Sequence, residues 1–487
     1  MSNDFLSRDQ SLAALQDQLL DVLVVGGGIV GAGIARDAAL RGLRTGLVEQ
    51  ADFASGTSSR SSRLLHGGIR YLAQGRIPLV REASKEKTVL GRIAPHLAQP
   101  LPFIFPTRRG TSWSYWKLSM GVKLYDLLCG LKNFGRSSSL SVPQTTKLLP
   151  EISTQDLTGA VRYFDALTND ARLVIDTLRS ATTHGAIVVN YTQFADAAQT
   201  QDAWVCQLRD AISGRDFEVK ARMIVNAAGP WSDRLPHSKT KLRLTKGVHL
   251  VVDRERLPVP EAVVMTEGDR VLFAIPWGER VILGTTDTDY DGDLSNPTCD
   301  ARDITEVLTV VNVAFPESLL TPGDVISTWS GLRPLVADPH GNPSDISRRH
   351  KIEMSSPGWW DVTGGKLTTY RLMAEETVDQ MARHLGKPVK PCSTASLPLV
   401  ESTATDSQSG ILPPPVEQSV VTAACEHEWV RHLDDVMIRR TSWRYYHRDH
   451  QEIAMKVADW IGEALGWSEA EKDEELSRYE AMTASGV

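Results

Sequence analysis

The sequence predicts an α/β protein in three parts: a domain with a central parallel sheet, a second with an antiparallel sheet, and an α-helical C-terminal domain. Three observations predict it. Residues 21–49 read strand, glycine turn, helix, strand, acid. Residues 246–290 read as antiparallel strands joined by polar or Pro/Gly turns. The stretch from about residue 419 is charged and helical in pattern, after a Ser/Thr/Pro-rich segment.

The first unit opens on the apolar strand Val22–Val25 and runs into Gly26-x-Gly28-x-x-Gly31. Gly26 allows a tight turn, Gly28 lets a pyrophosphate approach the backbone, and Gly31 lets helix and strand pack closely. A helix with Ile34, Ala35, Ala38 and Ala39 on one face stops at Gly42. The strand Arg44–Val48 then ends at Glu49, an acceptor for ribose hydroxyls. This is the order of a dinucleotide-binding βαβ unit, and the helix N-terminus presents N–H groups to a pyrophosphate. The run is no membrane span. Only Val22 to Ala35 is free of charge, and a span needs about 20 residues.

A second βαβ-like passage begins at Asn169-Asp170, which cap a helix carrying Leu173, Val174, Leu178 and Ala181. The strand Ala186–Asn190 follows. Met223–Val225 runs into Asn226-Ala-Ala-Gly229, where Ala228 and Gly229 suit a backbone passing close to a ligand. Val248–Val252, Val271–Ile275 and Val281–Gly284 read as strands and Arg302–Phe315 as a helix. Gly364-Gly365 leads into a helix with Leu367, Tyr370, Ala374, Val378, Met381 and Leu385 on one face. Leu12, Leu15, Leu19 and Leu20 form one short helical face.

A chain of 487 residues holds two or three domains. The net charge of −7 argues against nucleic acid as a partner, and requires a local cationic cluster for any anionic substrate. The five cysteines form no CxxC and no metal spacing, so no metal is expected and reduced thiols in a cytosolic compartment are. The first twenty residues lack the basic start and apolar core of a signal peptide.

Two features bear on which dinucleotide binds. Residues 54–63 form a hydroxyl-rich turn that includes Thr57, Ser58, Ser59 and Ser61, followed by His66-Gly67-Gly68. Such a turn can meet the pyrophosphate and ribityl groups of FAD, or be an ordinary solvated loop. Gly364-Gly365 opens the helix of Lys366, Leu367 and Thr368; its N-terminus, aimed at a flavin ring, would stabilise the reduced anion.

GGGIVGAGIARDAALRG, SSRSSRLLHGGIRYL, NAAGPW, KGVHLVV, FAIPW, ILGTTDTDYDGD, SGLRPL and GGKLTTYR occur in this order. Together they resemble the FAD-dependent, aerobic-type glycerol-3-phosphate dehydrogenases, within the D-amino-acid oxidase-like flavoproteins. The resemblance runs from Asp21 to about Met381 and resumes at Glu426–Thr441. It departs at Val30, where the family has a polar residue, often Asn. It implies a discontinuous FAD-binding, Rossmann-like domain (18–90, 155–240, 325–390) and a substrate domain (91–154, 241–324). A linker (391–418) and a helical C-terminal domain (419–487) complete the expected division. FAD contacts are expected from Gly26, Gly28, Gly31, Glu49, Thr57, Ser58, Ser59, Ser61, His66, Gly67, Gly68, Ala228, Gly229, Gly365, Lys366, Leu367 and Thr368.

The implied reaction takes a hydride from C2 of sn-glycerol 3-phosphate to flavin N5 and yields dihydroxyacetone phosphate. That needs a dianion clamp and a proton acceptor. By resemblance Arg70, Tyr71, Arg333 and Lys366 line the substrate pocket, with Arg348 as a further member or part of a solvated charge run. His66 and His249 are the candidate bases; a lysine or arginine stabilising an alkoxide, such as Lys366 or Arg333, is the alternative. The resemblance implies a membrane quinone as acceptor and a cytoplasmic enzyme peripheral on the inner face of the membrane. Ser112–Met120, with Trp113, Tyr115, Trp116 and Lys117, reads as an interfacial segment or as core. An oxidase passing electrons to oxygen and an amine or amino-acid oxidase are the alternatives. The oligomeric state stays open, a homodimer included.

Overall fold

The structure is a computed structural model that describes residues 6–73, 75–111, 113–129, 133–268, 270–336, 350–386, 388–399 and 410–484. Two sheets organise it. The first runs Lys351–Ser356, Trp359–Thr363, Asp216–Asn226, Leu19–Val25, Thr45–Val48, Ile187–Val189. All pairs after the first are parallel. Val22 and Val24 face the helices Ile29–Leu40, Asp170–Thr183 and Tyr370–Leu385. Leu23 and Val25 face the opposite way, onto the hairpin Thr192–Gln199/Trp204–Asp210 and the N-terminal helix Arg8–Gln16. Four parallel strands end nearly in line, with Val25 beside Val48 and Asn226, and Asn226 beside Asp361.

The glycine turn is fixed by contact. A Cβ on Gly31 would lie 1.9 Å from the Gly26 carbonyl oxygen. Gly26 has φ +114°, and a Cβ there would lie 2.5 Å from the Ala227 carbonyl oxygen.

The second sheet is antiparallel apart from one parallel pair, Ala262–Glu267 with Gln99–Arg108. Its longest ladder joins Leu242–Asp253 to Val325–Val336. The helix Ala301–Ala314 covers one face through Ile304, Val307 and Val311. Leu118, Val122 and Tyr125 of the helix Tyr115–Leu128 join the core on the other. Two strands here fall within segments expected in the nucleotide-binding domain, Leu157–Leu167 and Val325–Val336. The segments at 155–240 and 325–390 therefore each begin in the antiparallel sheet, where both strands are paired to their last residue. Leu19 and Leu20, expected to share a helical face with Leu12 and Leu15, start the first strand instead.

The C-terminal helices pack on their own core of Val421, Leu433, Val457 and Ile461. They are tied to the first sheet's loops by buried charge. Arg440 binds both oxygens of Asp52 at 2.5 and 2.9 Å, and Arg439 binds Asp52, Asp434 and Asp435. Of the expected linker, residues 400–409 lie outside the described residues; Leu399 and Ile411 on either side are buried. The five cysteines are unpaired, and no described helix is long and apolar enough to cross a membrane.

Gly31→Ala is expected to cost about 3 kcal/mol of stability, the upper range for an overpacked site. Urea unfolding checks this; an unchanged midpoint would show that strand and helix can move apart.

Candidate active site

The strand ends open onto a cavity of about 250 Å³. Gly26, Gly28, Glu49, Ser58, Ala228 and Gly229 form one end, and Gly364, Gly365, Lys366 and Leu367 the other. This is the crevice outside the carboxyl ends of a parallel sheet, where the strand order reverses about Leu19–Val25. Ser58 Oγ accepts a hydrogen bond from the Ile29 amide at 3.0 Å, so that first helical donor is already engaged. Glu49 accepts from the amides of Gly27 (2.7 Å) and Ala51 (3.0 Å). Burial pushes its carboxyl pKa up, while these amides pull it down. A carboxylate has about four acceptor sites, so capacity for hydroxyl donors remains.

A second cavity of about 280 Å³ shares Thr57, Ser61, Pro334 and Gly364–Leu367 with the first and reaches over the antiparallel sheet. Its floor is the long ladder. Thr245 pairs with Arg333, Gly247 with Gly331 and His249 with Trp329, so Arg333 and His249 share a face with two glycines between them. Gly247 makes room for the guanidinium, since a Cβ there would lie 2.3 Å from Arg333 Nη2. Arg333 donates to Thr285 Oγ1 (2.9 Å), the Thr286 carbonyl (3.2 Å) and Asp287 Oδ1 (3.1 Å), and is partly exposed.

His249 is buried against Trp329, ring centroids 5.2 Å apart and nearly parallel, with Nε2 2.8 Å from Ser62 Oγ. Its pKa is pushed down to about 3 by burial, then by the charges of Arg333 and Arg63. The imidazole is therefore neutral at pH 7. Lys366 stands where the cavities meet, its Nζ 4.0 Å from the Tyr71 ring centroid. Phe103, Phe105, Tyr163 and Phe273 make the rest of the chamber apolar.

Tyr71, His66 and Gly68 also line the second cavity. Four expected FAD contacts stand behind the walls. Gly31 packs on the glycine turn, Ser59 is buried, and Thr368 Oγ1 is bonded to the His66 backbone at 3.1 and 3.2 Å. Gly67 lines neither cavity; its amide is 2.9 Å from Tyr125 OH in a buried cluster with Lys87 and with Asp165, which itself borders the second cavity. Arg70 opens a short helix but its side chain lies outside the described set, and Arg348 lies outside the described residues. The sequence reading missed Ser62, and Arg63, whose guanidinium sits 4.5 Å from Trp277 and 5.3 Å from Trp329. Both lie in the hydroxyl-rich motif, which was the available signal; nothing near Asp165 or Lys87 gave one.

Fold and cavities define a dinucleotide-binding protein in which a parallel-sheet crevice opens into a chamber over an antiparallel sheet. The family model described as FAD dependent oxidoreductase matches residues 21–380, and that described as the C-terminal domain of alpha-glycerophosphate oxidase matches residues 373–472. The aerobic glycerol-3-phosphate dehydrogenases of Staphylococcus haemolyticus and Staphylococcus aureus (strain USA300) are each 38% identical, over 82% of this chain and 74% of theirs. The crystal structure of the glycerol-3-phosphate dehydrogenase from Bacillus halodurans complexed with FAD matches with a TM-score of 0.79 at 29% identity, over 98% of this chain and 97% of that one. Glycine oxidase from Geobacillus kaustophilus, 20% identical over 79% of this chain and 99% of that one, shares the fold with a TM-score of 0.59. The chain belongs to the aerobic glycerol-3-phosphate dehydrogenase family of the FAD dependent oxidoreductases. The first cavity fits FAD. It is lined by the glycine turn with Glu49 beside it and by two glycines with φ +73° and +81°.

A histidine with a depressed pKa stays unprotonated in the fold while the unfolded chain takes up a proton. Its stability contribution is complete above about pH 6.5 and is lost as pH falls toward 3. Unfolding free energy should therefore fall more steeply from about pH 6.5 to about 4.5 in the wild type than in His249→Gln. Parallel slopes in urea titrations would mean that His249 titrates normally.

Proposed function

We propose that the chain oxidises sn-glycerol 3-phosphate to dihydroxyacetone phosphate, with FAD in the first cavity and substrate in the second. The observation that carries this reading is Arg333 beside a neutral, buried His249 in the chamber that opens off the first cavity. The guanidinium fork is suited to a phosphate, Lys366 adds charge at the cavity junction, and the neutral imidazole can accept the C2 hydroxyl proton. The turn Gly26–Gly28, Glu49 and the hydroxyls of Thr57 and Ser58 would hold the dinucleotide, and Gly365–Leu367 its ring. FAD supplies the two-electron acceptor when bound. The chain's own residues orient the substrate, exclude water with the aromatic wall and take the proton. His66 is the second candidate for the proton, from the same cavity.

The reading extends to a membrane quinone as final acceptor. Its support is the helix Tyr115–Leu128, which buries Leu118, Val122 and Tyr125 while exposing Trp116, Met120, Leu124 and Leu127 along one side. Lys117 and Lys123 are exposed on the same helix and suit anionic headgroups. Of the expected interfacial segment, Ser112 lies outside the described residues.

Anaerobic mixing with sn-glycerol 3-phosphate should bleach the flavin absorption, with glycerol inert; absence of bleaching would send the reading to another substrate. Arg333→Met should raise KM by about 10- to 100-fold, the loss of a charge-assisted contact, with FAD retained. In a flotation assay with anionic vesicles, Trp116→Ser/Leu127→Ser should leave the vesicle fraction while dye-coupled activity is kept. Hydrogen peroxide formed in step with product would replace quinone by oxygen.

A further inference from the structure

A third cavity, of about 80 Å³, lies between the C-terminal helices and the strand Val325–Val336. Arg60 and Arg444 both line it, with Asn296, Thr298, Ser330 and Thr483. Only 6% of Arg444 is exposed. Among the described residues neither guanidinium makes an ion pair or a side-chain hydrogen bond, and no carboxylate lines the cavity. Asp434, whose charge Arg60 feels, is already held by Arg439 at 2.6 Å and Arg478 at 2.5 Å. The charge of Arg444 also reaches His450, whose pKa burial and Arg444 push down to about 4. Arg444 is buried and Arg60 half-buried, and a cation drawn out of water without a counter-charge is costly, so an anion in the cavity would offset that cost.

We propose that this cavity is an oxyanion site beyond the substrate chamber, sharing Arg60 with it, and that it takes a free tetrahedral anion such as inorganic phosphate. Two guanidinium forks match oxyanion geometry. The hydroxyl of Ser330, buried without a partner, with that of Thr298 and the amide of Asn296, can complete its hydrogen bonds. The volume excludes a nucleotide. Arg60 also borders the second cavity and belongs to the loop whose Thr57 and Ser61 line the first two. The anion thus neutralises the contact between that loop and the C-terminal helices.

The test is calorimetric titration of the FAD-loaded, full-length protein with inorganic phosphate, in an Arg333→Met background that removes the substrate-side clamp. One phosphate per chain is expected there. Adding Arg444→Met should weaken it by about 10- to 100-fold. Adding Thr483→Glu instead should abolish it with the melting temperature kept, because the new carboxylate occupies or repels at the same place. This second variant decides the matter if Arg444→Met does not fold. No phosphate bound by the Arg333→Met protein, or undiminished binding in the folded Thr483→Glu variant, overturns the proposal.

Discussion

The approach of the helix Ile29–Leu40 to the strand before it is the constraint on which the rest depends. Only hydrogen can occupy the space between Gly31 and the Gly26 carbonyl. Only a residue free to take φ +114° can pass under Ala227 at the same turn. These two contacts set the helix over the sheet and leave the ends of four parallel strands open. A bulkier turn would fill the crevice that the first cavity occupies. The hydrophobic faces of the sheet supply most of the stability, but they are indifferent to the turn's geometry. The glycines convert a generic α/β layer into a site.

The second sheet depends on the first through long strands. Leu157–Leu167 and Val325–Val336 belong to the antiparallel ladder, yet the next described element after each, the helix Asp170–Thr183 and the strand Lys351–Ser356, belongs to the nucleotide-binding half. Arg333 is carried on the second of these. Its distance from the shared wall at Pro334 and Gly364 is thus set by backbone pairing and needs no loop to fold. Asp52 plays a comparable part for the C-terminal helices. Two buried arginines meet one buried carboxylate; without it Arg439 would keep Asp434 and Asp435, whereas Arg440 would lose its bidentate partner and keep only Glu428. Asp52 follows Glu49 by three residues, so the same loop serves the cofactor crevice and the C-terminal domain.

Sequence periodicity reached local things well. The βαβ unit, the helix after Gly365 and the strands from Val248 to Gly284 were legible because each follows a local rule of spacing or turn chemistry. Residues that meet only after long-range pairing were not. Ser62 and His249 are 187 residues apart, and nothing near either announces the other. Gly67 reads as part of a ligand-facing glycine pair, but its direction depends on Tyr125 and Asp165 filling the space behind it. Lys87 looks like one more charge on an amphipathic helix, although it is fully buried and bonded to Asp165 at 2.7 Å. Sequence separates the elements; packing decides which side of each is wall and which is interior.

The electrostatics of the chamber tie binding to chemistry. Burial and the charges of Arg333 and Arg63 disfavour the His249 imidazolium and hold its pKa at about 3. On the reading proposed above, a phosphate dianion beside Arg333 cancels part of the field that disfavours the imidazolium. The base then strengthens as the substrate arrives, in the direction that proton removal from C2 hydroxyl requires. An alcohol without phosphate leaves the field intact and the base weak. Discrimination between glycerol and its phosphate would then reside in the pKa of a residue that need not touch the phosphate, as well as in the fork that does.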